Sequence, residues 1–140
     1  MTFMRAVHHG CAVGIGVLGC LGGSAWAQPR HPALEMLAHL ASGQWLVHAR
    51  DGGMADTRMC LADGRPLIQL RHTGLQCRQF VVQDEPNAVT VSYTCGTAGS
   101  GMTRMRMEND SLVQIETQGI AHGLPFSFTA EARRVGVCRR

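Results

Sequence analysis

The chain has no lysine. All 13 of its Lys/Arg residues are arginine, set against 10 acids. A net charge of +3 is too small to hold a polyanion, so a nucleic-acid partner is excluded. No apolar run is long enough to span a bilayer; the longest, Gly10 to Leu21, is short and glycine-rich. Repeats and low-complexity tracts are absent. There is no Cys-x-x-Cys, so a compact zinc site is excluded. There is no Gly-x-Ser-x-Gly elbow either, since Gly99-Ser100-Gly101 is a glycine-rich loop sequence. No acid–base pair or activated nucleophile can be assembled from the motifs, so the chain reads as a non-enzyme with no cofactor.

What is present begins with a leader. Arg5 supplies a positive charge, Ala6 to Leu21 is apolar, and Ala25-Trp26-Ala27 is a small-x-small cleavage site. Residues 1–27 therefore read as a signal peptide, which places the mature chain, from Gln28, in the periplasm or outside the cell. Val17-Leu18-Gly19-Cys20 offers an alternative, a lipoprotein box with a lipid anchor on Cys20, but Leu18 is bulky where a small residue is usual. Gly14 to Gly19 also fits Gly-x-Gly-x-x-Gly. It lies in the leader with no strand before it, and the match is chance.

Removal of Cys11 and Cys20 with the leader leaves Cys60, Cys77, Cys95 and Cys138. An even set in a small exported chain reads as disulfides before metal. Four cysteines permit three pairings. The favoured one is Cys60–Cys77 with Cys95–Cys138, because the first bridge would pin the irregular stretch around Pro66 and the second would fasten the C-terminus to the middle of a sheet.

Residues 28–42 form a lead-in with a short helix: Leu34, Leu37, Ala38 and Ala41 share one face from Pro32 to Ser42, and Gly43 suits the C-terminal cap. Residues 43–140 form a single domain in which the period changes to two. Strands are expected at Gly43 to Arg50, Thr57 to Leu61, Leu75 to Gln83, Ala88 to Cys95, Met102 to Met107, Ser111 to Gln118 and Leu124 to Val137. A weak helical turn is expected at Pro66 to Leu70, and loops at Gly96 to Gly101 and Gly119 to Gly123. The fold class is all-β, an antiparallel meander curled into a strongly curved sheet or small barrel. Its expected core is Trp45, Val47, Val91, Tyr93, Met105, Val113, Ile115, Phe126 and Phe128, with their odd or even neighbours turned to water.

An ordered set of motifs accompanies these strands: Gly43-Gln44-Trp45, Met59-Cys60-Leu61, Cys77, Ser92-Tyr93-Thr94-Cys95, a glycine-rich loop, and Arg134-Val135-Gly136-Val137-Cys138. In this the chain resembles the bacterial domain-of-unknown-function 3617 family over Gly43 to Cys138. The resemblance implies a small, periplasmic, non-enzymatic β protein and carries no catalytic residues. The segment after Cys60 departs from it, lacking the usual acidic-proline helix start.

Two kinds of function stay open. One is a non-catalytic binding or structural module whose partner is a small apolar ligand or a periplasmic protein. The other is a copper-handling protein using the thioethers of Met105 and Met107, which share a strand face while Met102 points away. Core filling by unbranched methionine is the simpler account of that pair. The histidines His31, His39, His48, His72 and His122 show no metal spacing within one element, and a Cys–His nucleophile would need a thiol that paired cysteines do not leave. Asn109-Asp110-Ser111 fits a glycosylation sequon but reads as a hairpin turn. Arg133, Arg134, Arg139 and Arg140 read as a solvated strand edge.

Overall fold

The computed structural model describes residues 34–139. Expectations about the leader, the cleavage site, Cys20, His31, Pro32 and Arg140 lie outside them. Seven strands follow a short helix: α1 (Glu35–Ala38), β1 (Gly43–Ala49), β2 (Thr57–Leu61), β3 (Arg78–Glu85), β4 (Ala88–Thr94), β5 (Gly99–Asn109), β6 (Leu112–Ala121) and β7 (Leu124–Gly136). A 3-10 segment, Arg65–His72, joins β2 to β3. All neighbours are antiparallel, in the order β2-β1-β7-β6-β5-β4-β3. The sheet is strongly curved but not closed, so β2 and β3 are edges.

Period two sets which face is buried. On β1 the inner set is Trp45, Val47 and Ala49; on β4 it is Val89, Val91 and Tyr93; on β5 and β6 it includes Thr103, Met105, Val113 and Ile115. Phe128, Ala130 and Ala132 continue it on β7, while Phe126 is only partly buried at its margin. α1 covers this face with Met36, Leu37 and, just beyond it, Leu40. The 3-10 segment adds Leu67, Ile68 and Leu70. The interior is thus filled by the protein's own side chains.

Several expectations need correction. Among the described residues the helix is one turn, Glu35–Ala38, and does not continue to Ser42. In a continuing helix the Ala41 N–H would reach the Leu37 carbonyl. Instead it donates to Asp110 in the β5–β6 turn (2.8 Å), and the Leu37 carbonyl accepts from Gly64 (3.0 Å). Tertiary hydrogen bonds therefore outcompete propagation of so short a helix, and Gly43 opens β1 without capping α1.

The loop expected at Gly96 to Gly101 is a 3-10 turn, Gly96–Ala98, followed by the first residues of β5, and the one expected at Gly119 to Gly123 is strand up to Ala121. Gly101 lies opposite Gly119 in the β5–β6 ladder and beside Tyr93 on β4. A Cβ on Gly101 would sit 2.5 Å from the Tyr93 hydroxyl. Gly101 makes room for that ring, and Gly119 for the backbone of Ser100 and Gly101; neither marks a loop. The β6–β7 turn is only His122-Gly123, both at positive φ (50° and 79°), as a tight two-residue hairpin demands.

The favoured disulfide pairing is wrong. The structure joins Cys60 to Cys138 and Cys77 to Cys95, with Cα–Cα separations of 5.7 and 4.3 Å. Cys60 lies on edge strand β2, and Cys77 lies at the start of the other edge, β3, with five strands between. Cys95 and Cys138 are likewise parted by β5 and β6. Cys138 instead follows β7 past the first residues of β1 to reach β2. Cys77 extends the β3–β4 ladder directly opposite Cys95, one step beyond the Arg78–Thr94 pair.

Candidate functional site

Two places carry chemistry: a polar cluster inside the sheet and a grooved surface on its open face. Inside, His72 is 3% exposed. Its Nε2 lies 3.1 Å from the Ala98 carbonyl and its Nδ1 lies 3.2 Å from the Tyr93 hydroxyl. A carbonyl only accepts, so in the neutral ring Nε2 donates and Nδ1 accepts from Tyr93. Edge-on contacts with Tyr93 and Phe126 hold the ring. A second chain of bonds runs beside it: Thr117 donates to Thr103 (2.8 Å), which donates to the Ile68 carbonyl (2.6 Å). No buried side-chain N or O among the described residues is left without a partner. This cluster anchors the 3-10 segment to β4, β5 and β6, and its polar groups are spent on one another.

Burial pushes the Tyr93 phenol above its ordinary value of 10.0. The stability supplied by the neutral phenol is complete below pH 10 and is lost as pH rises through the folded-state value. Tyr93 is the one tyrosine in the chain, so phenolate absorbance reports it alone. An alkaline titration is expected to show phenolate appearing above the ordinary midpoint and together with loss of near-ultraviolet circular dichroism. A free-peptide midpoint in folded protein would count against the burial.

The methionines do not converge. Met105 is buried in the core between Val89 and Ile115, Met107 is partly buried at its margin, and Met102 is 41% exposed on the other face. Among the described residues no three His, Cys, Asp or Glu side chains are placed to hold a metal ion. His48 pairs with Asp56 at the surface (2.7 Å), His39 is exposed on the turn after α1, and His122 occupies the β6–β7 turn. Arg133 is engaged by Glu131 (2.9 Å), and Arg134 donates to the Ser42 carbonyl (2.8 Å). Asn109 accepts from the Ser111 backbone N–H (2.9 Å), closing the hairpin turn.

The open face divides into two halves. Toward one end, arginines and glutamates interleave across β5, β6 and β7 around a groove of about 450 Å³. Arg50 bonds to Gln114 and Glu131, and Arg106 pairs with Glu108 (2.7 Å). The hydrogen bond from Arg133, with nearby Arg50, holds the Glu131 carboxyl below the usual range. The Thr129 backbone N–H (2.8 Å) does the same for Asp51 at the end of β1. These charges neutralise one another.

Toward the other end the face is different. A groove of about 640 Å³ lies over β3, β4 and the start of β5. Phe80, 70% exposed, stands on one side, with Arg78 two residues along the same face. Ser92, Thr94 and Ser100 form the floor: Ser92 is opposite Phe80, and Thr94 is opposite both Arg78 and Ser100. Sequence reasoning missed these residues. The sequence marks Phe80-Val81-Val82 only as part of an extended segment, and β3 is an edge strand exposed along nearly its whole length. The usable signal was the Thr/Ser face of β4, already marked as outward.

No family model, curated protein or solved structure matches the chain. Among the described residues no helix is long and apolar enough to cross a membrane. The two cysteine pairs fit an oxidising environment outside the cytoplasm.

Proposed function

We propose that this is an exported, non-catalytic binding module, stripped of its leader after Ala27 and braced by two disulfides. The observation that carries the reading is the division of labour between the two faces. The inner face is filled by α1 and the 3-10 segment, and its acid–base pair, His72 and Tyr93, is sealed and mutually bonded. The open face keeps its grooves and its unengaged polar groups. A small apolar ligand inside the sheet is not favoured, because that space is occupied. Two staples on a small domain suit a compartment where thiols are oxidised. The ordered motifs that resemble the domain-of-unknown-function 3617 family would suit the same placement, although no family model matches the chain.

Expression of the whole chain in a bacterium, followed by periplasmic fractionation and intact mass, tests this reading. The expected species begins at Gln28 and has no alkylatable thiol. A diacylated species beginning at Cys20, or a cytoplasmic product with free thiols, would overturn it.

A further inference from the structure

We propose that the groove over β3, β4 and β5 is a carbohydrate site, taking a saccharide that carries a carboxylate. This rests on the reading of the chain as an exported binding module and gives that module a ligand class. Phe80 is a large ring 70% exposed on a sheet face, beside a recess of about 640 Å³. Next to it the ladder sets out three hydroxyls. Ser92 and Thr94 are two residues apart on one strand, roughly 6.5–7 Å, and Ser100 is one strand over from Thr94, about 4.8 Å. Among the described residues none of these hydroxyls has a side-chain hydrogen bond within the protein. Arg78 closes the end of the row and makes no ion pair among the described residues, whereas Arg50, Arg65, Arg106 and Arg133 each have one.

Each part selects against other ligands. A pyranose ring has an apolar C–H face and a rim of hydroxyls, the complement of an aromatic ring flanked by side-chain hydroxyls. Those hydroxyls both donate and accept, as sugar hydroxyls do. A free phosphate or other compact anion would call for several converging cations, and the groove has one. A single guanidinium suits one carboxylate, which it grips through two parallel N–H donors. An added strand would bond to the outer edge of β3, but the extra residue Val82, between the Val81–Val91 and Gln83–Thr90 pairs, bulges that edge and breaks its regular spacing.

The test uses the mature chain with both disulfides formed, titrated with tetragalacturonate (acidic) and chitotetraose (neutral), read by backbone amide shifts and calorimetry. The acidic oligomer is expected to bind the more tightly and to move the amides of Ser92, Thr94 and Ser100. Phe80→Ala is expected to weaken both oligomers about tenfold, the loss for removing one stacked ring. Arg78→Gln should bring the acidic oligomer down to the affinity of the neutral one. Both positions are exposed, so unchanged circular dichroism is expected to confirm the fold. Absence of shifts with either oligomer, insensitivity to Phe80→Ala, or shifts mapping to the Arg50 and Arg106 groove would each overturn the assignment. So would concentration-dependent self-association that buries Phe80. The protein is purified and oxidised beforehand, so a different cleavage site or compartment would refute the export reading and leave this result intact.

Discussion

Ile115→Asp is expected to unfold the domain, while Gln114→Asp, one residue away, is expected to change its stability by no more than about 0.5 kcal/mol. Ile115 is 1% exposed, between Met105 on β5 and Ala130 on β7. A carboxylate there loses its water and finds no compensating partner, at a cost of about 3–5 kcal/mol in addition to the packing lost. That is comparable to the whole stability of a small domain, roughly 5–15 kcal/mol. Gln114 lies on the open face, bonded to Arg50 and Glu131; an acid there still meets the guanidinium of Arg50. Urea denaturation of the two variants decides it. Equal destabilisation would overturn the assignment of faces.

The two disulfides are expected to be unequal. Cys60–Cys138 closes a separation of 78 residues and Cys77–Cys95 one of 18. By loop-closure entropy the first contributes about 4–5 kcal/mol and the second about 3 kcal/mol. Double serine variants, Cys60→Ser with Cys138→Ser and Cys77→Ser with Cys95→Ser, remove each bridge without leaving a thiol to mispair. The first should lower the denaturation midpoint more and make the C-terminal residues the earliest site of proteolysis. Non-reducing peptide mapping should recover Cys60 linked to Cys138. The reverse order of stabilities, or a Cys60–Cys77 peptide, would refute this pairing.

What the sequence made legible was local. Thr57–Leu61 has the same limits in the structure as in the pattern, and the alternation along Ala88–Thr94 assigned Val91 and Tyr93 inward and Ser92 outward correctly. Such readings need only the two-residue period of a pleated chain. The pairing of β1 with β7 was not legible. These strands stand almost at opposite ends of the domain sequence, and no turn between them fixes a register. The disulfides were lost with it, because Cys60 and Cys77 are near in sequence and on opposite edges in space.

The Cys77–Cys95 bridge shows a subtler limit. Counting back from the Pro86-Asn87 turn, with Glu85 opposite Ala88, would set Cys77 opposite Gly96. One extra residue at Val82 shifts the ladder so that Cys77 meets Cys95. A bulge has no sequence signature of its own. The groove was missed for a related reason: Phe80 has the composition of a core residue, and only the strand order shows that β3 has no neighbour on its outer side.

Under the export proposed above, the strand order also governs how a chain delivered across a membrane from its N-terminus must assemble. From β3 onward, each strand finds its predecessor already present, so pairing keeps pace with emergence. The β1–β2 hairpin emerges first and is incorporated last, because its only other neighbour is β7. Until then Trp45 and Val47 have no sheet to pack on and Cys60 has no partner, since Cys138 is among the final residues. The fold therefore has a high contact order and a long interval with an exposed apolar hairpin and an open thiol. If the chain is exported as proposed, that interval is where holding chaperones and thiol oxidases of the receiving compartment would act.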